Sequence, residues 1–296
     1  MEENISKNDY KSESSFGYHE GSVDSIISVE DVNRRVNEIS ETISNEKIKN
    51  LCQGDPILKI EELCAGFGKM EILHDFNLQV GRGQSLCMIG PNGAGKSTVL
   101  HSIFGFSNIF SGKISTIINQ SQTAITEMSS SDKLKEAGIS YILQDNSVFP
   151  EMTVEENLMM GGFLKKDSDA VKDSIERIFE KYDRLRERRK KPAKVLSGGE
   201  RRLLEISRAL VMEPKILLVD EPSIGLEPRF IEMVFEILND LQKNEDKTII
   251  MVEQNAKKGL EFADIGYVLV SGNLAMAGTG KDLLNNPKVG KLFLGG

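Results

Sequence analysis

The nine residues Gly90-Pro91-Asn92-Gly93-Ala94-Gly95-Lys96-Ser97-Thr98 leave this chain fewer folding options than any other stretch. They follow an apolar run, Ser85-Leu86-Cys87-Met88-Ile89, that reads as a buried strand. They precede Val99-Leu100 and Ile103-Phe104, whose spacing opens a helix. Strand, glycine-rich loop and helix together form the context that a phosphate-binding loop requires. The glycines let the backbone curl so that successive N–H groups face phosphate oxygens, and the helix N-terminus adds its positive dipole end. In such a loop Lys96 reaches the β- and γ-phosphates and the Ser97 hydroxyl ligates Mg²⁺. The pattern therefore implies a nucleoside-triphosphate site built from Gly90 to Thr98.

The rest of the chain is compatible with that site. With 296 residues, 39% hydrophobic and 28% charged, it has the make-up of a soluble globular protein with a sizeable core. No run of about 18 apolar residues is present, and the start lacks a basic stretch followed by an apolar one. Cys52, Cys64 and Cys87 have no metal-ligand spacing, and Cys87 reads as a small core residue of the strand before the loop. Reduced cysteines and nucleotide use point to the cytoplasm. The net charge of −8 argues against a nucleic-acid partner. Residues 1–56 hold six Lys/Arg against twelve Asp/Glu, so −6 of that charge sits at one end.

That end is read as an acidic extension, residues 1–56. Residues 1–23 show no periodicity and are expected to be disordered. Val29, Val32, Val36, Ile39 and Ile43 then recur at helical spacing, with Ser28 and Asp31 as an opening cap. Gln53-Gly54-Asp55-Pro56 breaks the chain and is taken as the domain boundary. Beyond it, strands are expected at 57–60, 75–80, 112–114, 139–143, 216–219, 248–252 and 266–270. Helices are expected at 154–160, 170–182, 199–211 and 229–242, and residues 119–133 read as a polar surface loop. The alternation argues an α/β core with a mainly parallel sheet. A helical segment, about 145–198, is inserted into it.

Two further motifs bear on the phosphate loop. The apolar strand Ile216-Leu217-Leu218-Val219 ends in Asp220-Glu221. Ligands gather at the C-terminal ends of parallel strands, which brings both acids to the phosphates. Asp220 suits the Mg²⁺ shell, and Glu221 can orient or deprotonate an attacking water. Leu196-Ser197-Gly198-Gly199-Glu200 stands just before a helix and makes a second anion site at its N-terminus. One triphosphate does not need two such sites from one chain, so the motif reads as one half of a dimer site.

The order GPNGAGKST, a strand-end Gln144, LSGGE and LLVDEP resembles the ATP-binding cassette ATPases over residues 57–296. The resemblance implies a P-loop NTPase core with a parallel sheet, an antiparallel β subdomain and the inserted helical subdomain. It implies ATP and Mg²⁺ as cofactors, with Gln144 joining Ser97 and Asp220 at the metal and coupling to the membrane subunit through the inserted helices. Phe67, in Gly66-Phe67-Gly68, stands where the family has an aromatic that stacks on adenine. Ser197, Gly198, Gly199 and Glu200 would contact the partner's nucleotide, and residues 223–228 would cross the dimer interface. Most members carry a His after the strand 248–252; here Gln254 takes its place, and it donates a hydrogen bond but cannot become cationic.

Val252-Glu253-Gln254-Asn255-Ala256, Pro222-Ser223-Ile224-Gly225-Leu226, Thr153-Val154-Glu155-Glu156-Asn157-Leu158 and the ending Leu292-Phe293-Leu294-Gly295-Gly296 are similar to one branch, the LivF-type subunit of branched-chain amino-acid importers. Urea-importer subunits share much of this pattern, and Gln144 fits them at least as well. The resemblance implies an ATPase at the cytoplasmic face of the inner membrane, with Lys96, Glu221 and Gln254 as catalytic residues. Its implied partners are transmembrane permease subunits, a second cassette ATPase (the same chain or another) and, indirectly, a solute-binding protein. A soluble cassette ATPase of translation or DNA repair is the rival reading; it usually carries two cassettes, a long coiled coil or a basic face, none of which is seen here.

Overall fold

The computed structural model describes residues 44–144 and 147–294. The chain begins there with helix α1 (Asn45–Leu51), followed by β1 (Pro56–Phe67), β2 (Met70–Gly81) and β3 (Ser85–Ile89). Helix α2 (Lys96–Phe104) leads to β4 (Asn108–Ile118), β5 (Ser121–Ala124), α3 (Ser130–Lys135) and β6 (Ile139–Ile142). Then come α4 (Val154–Gly161), α5 (Ser168–Lys181), α6 (Asp183–Glu187) and α7 (Gly198–Leu210). The chain closes through β7 (Ile216–Asp220), α8 (Pro228–Glu245), β8 (Thr248–Val252), α9 (Ala256–Phe262), β9 (Ile265–Val270), β10 (Asn273–Thr279), α10 (Gly280–Leu284) and α11 (Pro287–Phe293).

Six strands form one sheet in the order β10-β9-β3-β8-β7-β6, parallel except for β10. Its strands read as unbroken apolar runs because both faces are covered. Leu86 and Met88 of β3, Leu218 of β7 and Ile250 of β8 enter one core, against the antiparallel sheet β2-β1-β4-β5 and α2. Their neighbours Cys87, Ile89, Leu217, Val219, Ile249 and Met251 enter a second core with Val234 and Leu238 of α8. The strand period of two thus builds a core on each side of the sheet.

The inserted helices carry a third core, in which Val154, Leu158, Ile175 and Phe179 meet Leu203 and Leu204 of α7. Helix α7 belongs to both bodies, since its Ile206 lies in the second core. A Thr153–Pro192 bridge closes the insertion at its base, where buried Asn157 holds both the N–H and the carbonyl of Phe149.

Two expectations change. Residues 119–133 are not all loop: β5 pairs with β4 through a hairpin turn at Asn119-Gln120, both at positive φ, and α3 starts at Ser130, leaving 125–129 as the connection. The strand is short, polar and at the sheet edge, so no apolar alternation marks it. The break at residues 53–56 does not end the packed body either. Helix α1 lies on β2 and β10 with Ile48 buried. Gln84 fastens it there: its Oε1 accepts from Gln53 N and Gly81 N, both 2.8 Å, and its Nε2 donates to Leu51 O at 3.1 Å. The stretch expected to be disordered (1–23), the helix expected from Val29 to Ile43 and the final Gly295-Gly296 lie outside the described residues.

Candidate functional site

The turn from β3 into α2 is possible only because of its glycines. Gly90 runs at φ 151, and a Cβ there would lie 2.2 Å from Leu269 O. Gly95 caps α2 in the left-handed region at φ 96, and among the described residues no side chain caps that helix start. Its first N–H groups therefore have no side-chain acceptor and suit an anion. Lys96 is buried, and its Nζ donates to the carbonyls of Gly90 and Pro91, each at 3.0 Å. Burial lowers its pKa, while the charges of Glu221 and Asp220 oppose that shift.

The strand ends of β6 and β7 bring the remaining polar groups to α2. Ser97 Oγ donates to Asp220 Oδ1 at 3.0 Å, and Tyr141 OH donates to the other oxygen, Oδ2, at 2.8 Å. Gln144 Nε2 donates to Glu221 Oε2 at 3.1 Å. Glu221 itself holds φ 41, a costly conformation for a non-glycine residue, and its N–H reaches Val252 O at 2.9 Å on β8. Between the loop residues 92–98 and Ile72 and Glu221 lies a cavity of about 210 Å³.

Buried Arg202 of α7 sits behind this pair. It donates to the carbonyls of Leu143 (2.8 Å), Gln144 (3.4 Å) and Asp220 (3.3 Å) and to the Glu205 carboxylate (2.8 Å). One side chain thereby ties the start of α7 to the ends of β6 and β7. Tyr141 and Arg202 were not singled out in the sequence. Their contacts span 79 and up to 59 residues, and no local pattern encodes them.

The other sequence-derived residues do not line the cavity. Phe67, at the end of β1, is half-exposed and meets the His101 ring of α2 edge-on, with centroids 5.7 Å apart. Ser197 caps α7: its Oγ accepts from Glu200 N at 3.3 Å, and Glu200 Oε2 accepts from Ser197 N at 2.9 Å. Ser197 and Gly198 are exposed, whereas Gly199 is buried against Phe230. Gln254 is exposed just past β8. Ser97, Asp220 and Gln144 all offer oxygen, the donor type a hard divalent cation prefers. Asp220 is the one carboxylate of the three, which suits an ion bound partly through substrate phosphates.

The family model described as ABC transporter matches residues 73–224. A high-affinity branched-chain amino acid transport ATP-binding protein, BraG, of Pseudomonas aeruginosa is 40% identical over 240 residues, covering 81% of this chain and all of that protein. A probable branched-chain amino acid transport ATP-binding protein, LivF, of Archaeoglobus fulgidus is 38% identical, covering 81% of this chain and 99% of the other. The lipopolysaccharide export ATP-binding protein LptB of Haemophilus influenzae stands at 30%, covering 81% of this chain and 97% of its own length. Among solved structures, the ADP conformation of an ATP-binding cassette superposes with a TM-score of 0.71 at 28% identity, covering 82% of this chain and 100% of that one.

Proposed function

We propose that this chain, which belongs to the ABC transporter family as one of its ATP-hydrolysing subunits, powers an importer for branched-chain amino acids. The observation that carries the reading is the meeting of three strand ends at one loop. Lys96 and Ser97 from β3–α2, Asp220 and Glu221 from β7, and Gln144 from β6 all reach the same cavity or each other. The two relatives at 38–40% identity name the solute class, and the export relative is more distant at 30%.

Lys96 exchanges its two carbonyl acceptors for β- and γ-phosphate oxygens of ATP, at little cost because the cradle is already formed. Ser97, Asp220 and Gln144 would hold Mg²⁺, which supplies charge neutralisation at the phosphates. Glu221 orients and deprotonates the attacking water. Gln144, hydrogen-bonded to Glu221, links that base to the inserted helices. Phe67 stacks on the adenine. The start of α7, Ser197 to Glu200, with Ser197 and Gly198 exposed, faces the nucleotide of a second cassette ATPase, and exposed Gln254 donates a hydrogen bond to the γ-phosphate.

No helix among the described residues is long and apolar enough to cross a membrane. The transport path then lies in separate permease subunits, with this chain at the cytoplasmic face. The cavity of about 290 Å³ between Ser147, Phe149, Met160 and Arg208 supports docking of a permease segment there. Affinity purification from solubilised native membranes, followed by mass spectrometry, tests this. Recovery with multi-span permease subunits and a second cassette ATPase is the expected result, together with leucine- or valine-stimulated ATP hydrolysis when a solute-binding protein is added. Recovery with ribosomes or DNA overturns the transport assignment.

A further inference from the structure

The residue after β8, Glu253, is 1% exposed and carries a carboxylate into the interior. Among the described residues no cation pairs with it; its acceptors are used by two loops instead. Ser223 Oγ donates to Oε1 at 2.6 Å and Ser223 N to Oε2 at 3.3 Å, from the segment that follows Glu221. Asn255 N donates to Oε1 at 2.9 Å, and the Gln254 N–H adds a further bond, from the segment past β8. Space for this group is made by Gly259 of α9, where a Cβ would lie 3.0 Å from Glu253 Cβ and 2.6 Å from Cys87 Sγ. A carboxylate buried without a cation is expensive, and an apolar side chain would fill the same volume without that cost. Packing alone does not account for its chemistry.

We propose that Glu253 is a positioning residue for hydrolysis, whose carboxylate binds Ser223 and the Gln254–Asn255 backbone so that the loop bearing Glu221 and the loop bearing Gln254 move as one unit. This rests on the reading of Glu221 and Gln254 as the two groups that face the γ-phosphate. The Glu221 N–H bond to Val252 O is a second tether between the same segments. Gln254 is neutral and has no charge of its own to steer it, so its placement comes through the backbone that Glu253 grips. A misplacement of about 1 Å at such a pair costs turnover rather than nucleotide affinity.

The test uses the full-length chain with Glu253→Gln, Ser223→Ala and the double variant, measuring turnover, ATP affinity and hydrogen–deuterium exchange. Each single variant is expected to lower kcat by roughly 10- to 100-fold with the ATP Kd changed by less than about twofold. The double variant should equal a single one, not their product. Exchange should rise in both loops, 222–228 and 253–257, whichever residue is altered. Exchange raised only in the substituted loop, unchanged kcat, or additive losses would overturn the proposal. Ser223→Ala removes a lone hydroxyl and keeps the test open if Glu253→Gln does not fold. Glu221→Gln, run alongside, separates the two readings. If it retains turnover, the catalytic assignment fails; if it is inactive while the Glu253 and Ser223 variants are normal, the coupling fails.

Discussion

Two glycine-rich helix starts, Gly90–Thr98 and Ser197–Glu200, look alike as sequence and are built in opposite ways. The first begins a helix with no side-chain cap among the described residues; its lysine is held by two carbonyls of the loop itself and its serine by Asp220, far along the chain. The second caps itself: Ser197 and Glu200 satisfy each other's backbone N–H groups in a closed box. The first is a cradle whose helix-start N–H groups meet no capping side chain among the described residues. The second is a finished helix end with two exposed residues, a surface offered outward. One chain therefore carries one helix start without a side-chain cap and one that caps itself, the division of labour that the proposed pairing of two ATPases would use.

The sharpest way to break this comparison is Glu221→Gln. Turnover should fall by roughly 10²- to 10⁴-fold while ATP still binds, because the cradle does not depend on the base. Near-normal hydrolysis would detach the cradle from any chemistry. The two glycines of the presenting edge sharpen it next. A Cβ at Gly198 meets only Leu226 at 3.7 Å, whereas one at Gly199 would lie 2.1 Å from the Phe230 ring. Gly198→Ala should keep its melting temperature and lose about tenfold in turnover of the assembled pair, through contact with the partner's nucleotide alone. Gly199→Ala should lose about 1–3 kcal/mol of stability by overpacking. Equal melting temperatures for the two variants, or full turnover of Gly198→Ala, would show that the edge presents nothing.

The smallest effect lies at the far end of α2. The fully buried Lys133 ammonium sits beside Gly105, the residue closing that helix, and has no hydrogen-bond partner among the described residues. Burial pulls its pKa down to about 8, only partly offset by Glu127. An unfolded lysine titrates near ~10.4. Between those values the unfolded chain binds a proton that the folded chain does not. The cost of the buried charge is thus complete below pH 8 and fades as pH rises towards the unfolded value. Lys133→Met should gain about 1 kcal/mol at pH 7 in a denaturation series, and the gain should shrink at pH 9.5. A gain that is flat with pH would mean that packing, not charge, sets it.

The residues that sequence alone identified at the site share one property: their meaning is local. A glycine pattern between strand and helix, or two acids after an apolar run, is legible within nine residues. The groups it missed act across the fold. Tyr141 fixes Asp220 from 79 residues away, Arg202 reaches back 59 to Leu143, and Glu253 meets Ser223 across 30. Glu253 left one trace, an acid directly abutting the apolar strand Thr248–Val252, in register to be buried. The fold was missed for a related reason at α1, where one buried residue, Ile48, in seven gives no periodicity and Gly54-Pro56 imitates a boundary. Gln84, which holds that helix in place, looks like any surface polar residue until the contact is seen.

Cys87 carries a consequence for anyone who attaches a reporter to this protein. Its thiol is fully buried two residues before the strand ends, and burial together with the nearby Glu253 charge pushes its pKa well up. It stays protonated and out of reach, so the nucleotide cradle is insulated from oxidants and alkylating reagents. Maleimide chemistry falls instead on Cys52 and Cys64, both half-buried, one just past α1 and one on β1. A fluorophore can be placed on the antiparallel side of the native sequence with the phosphate loop left chemically silent.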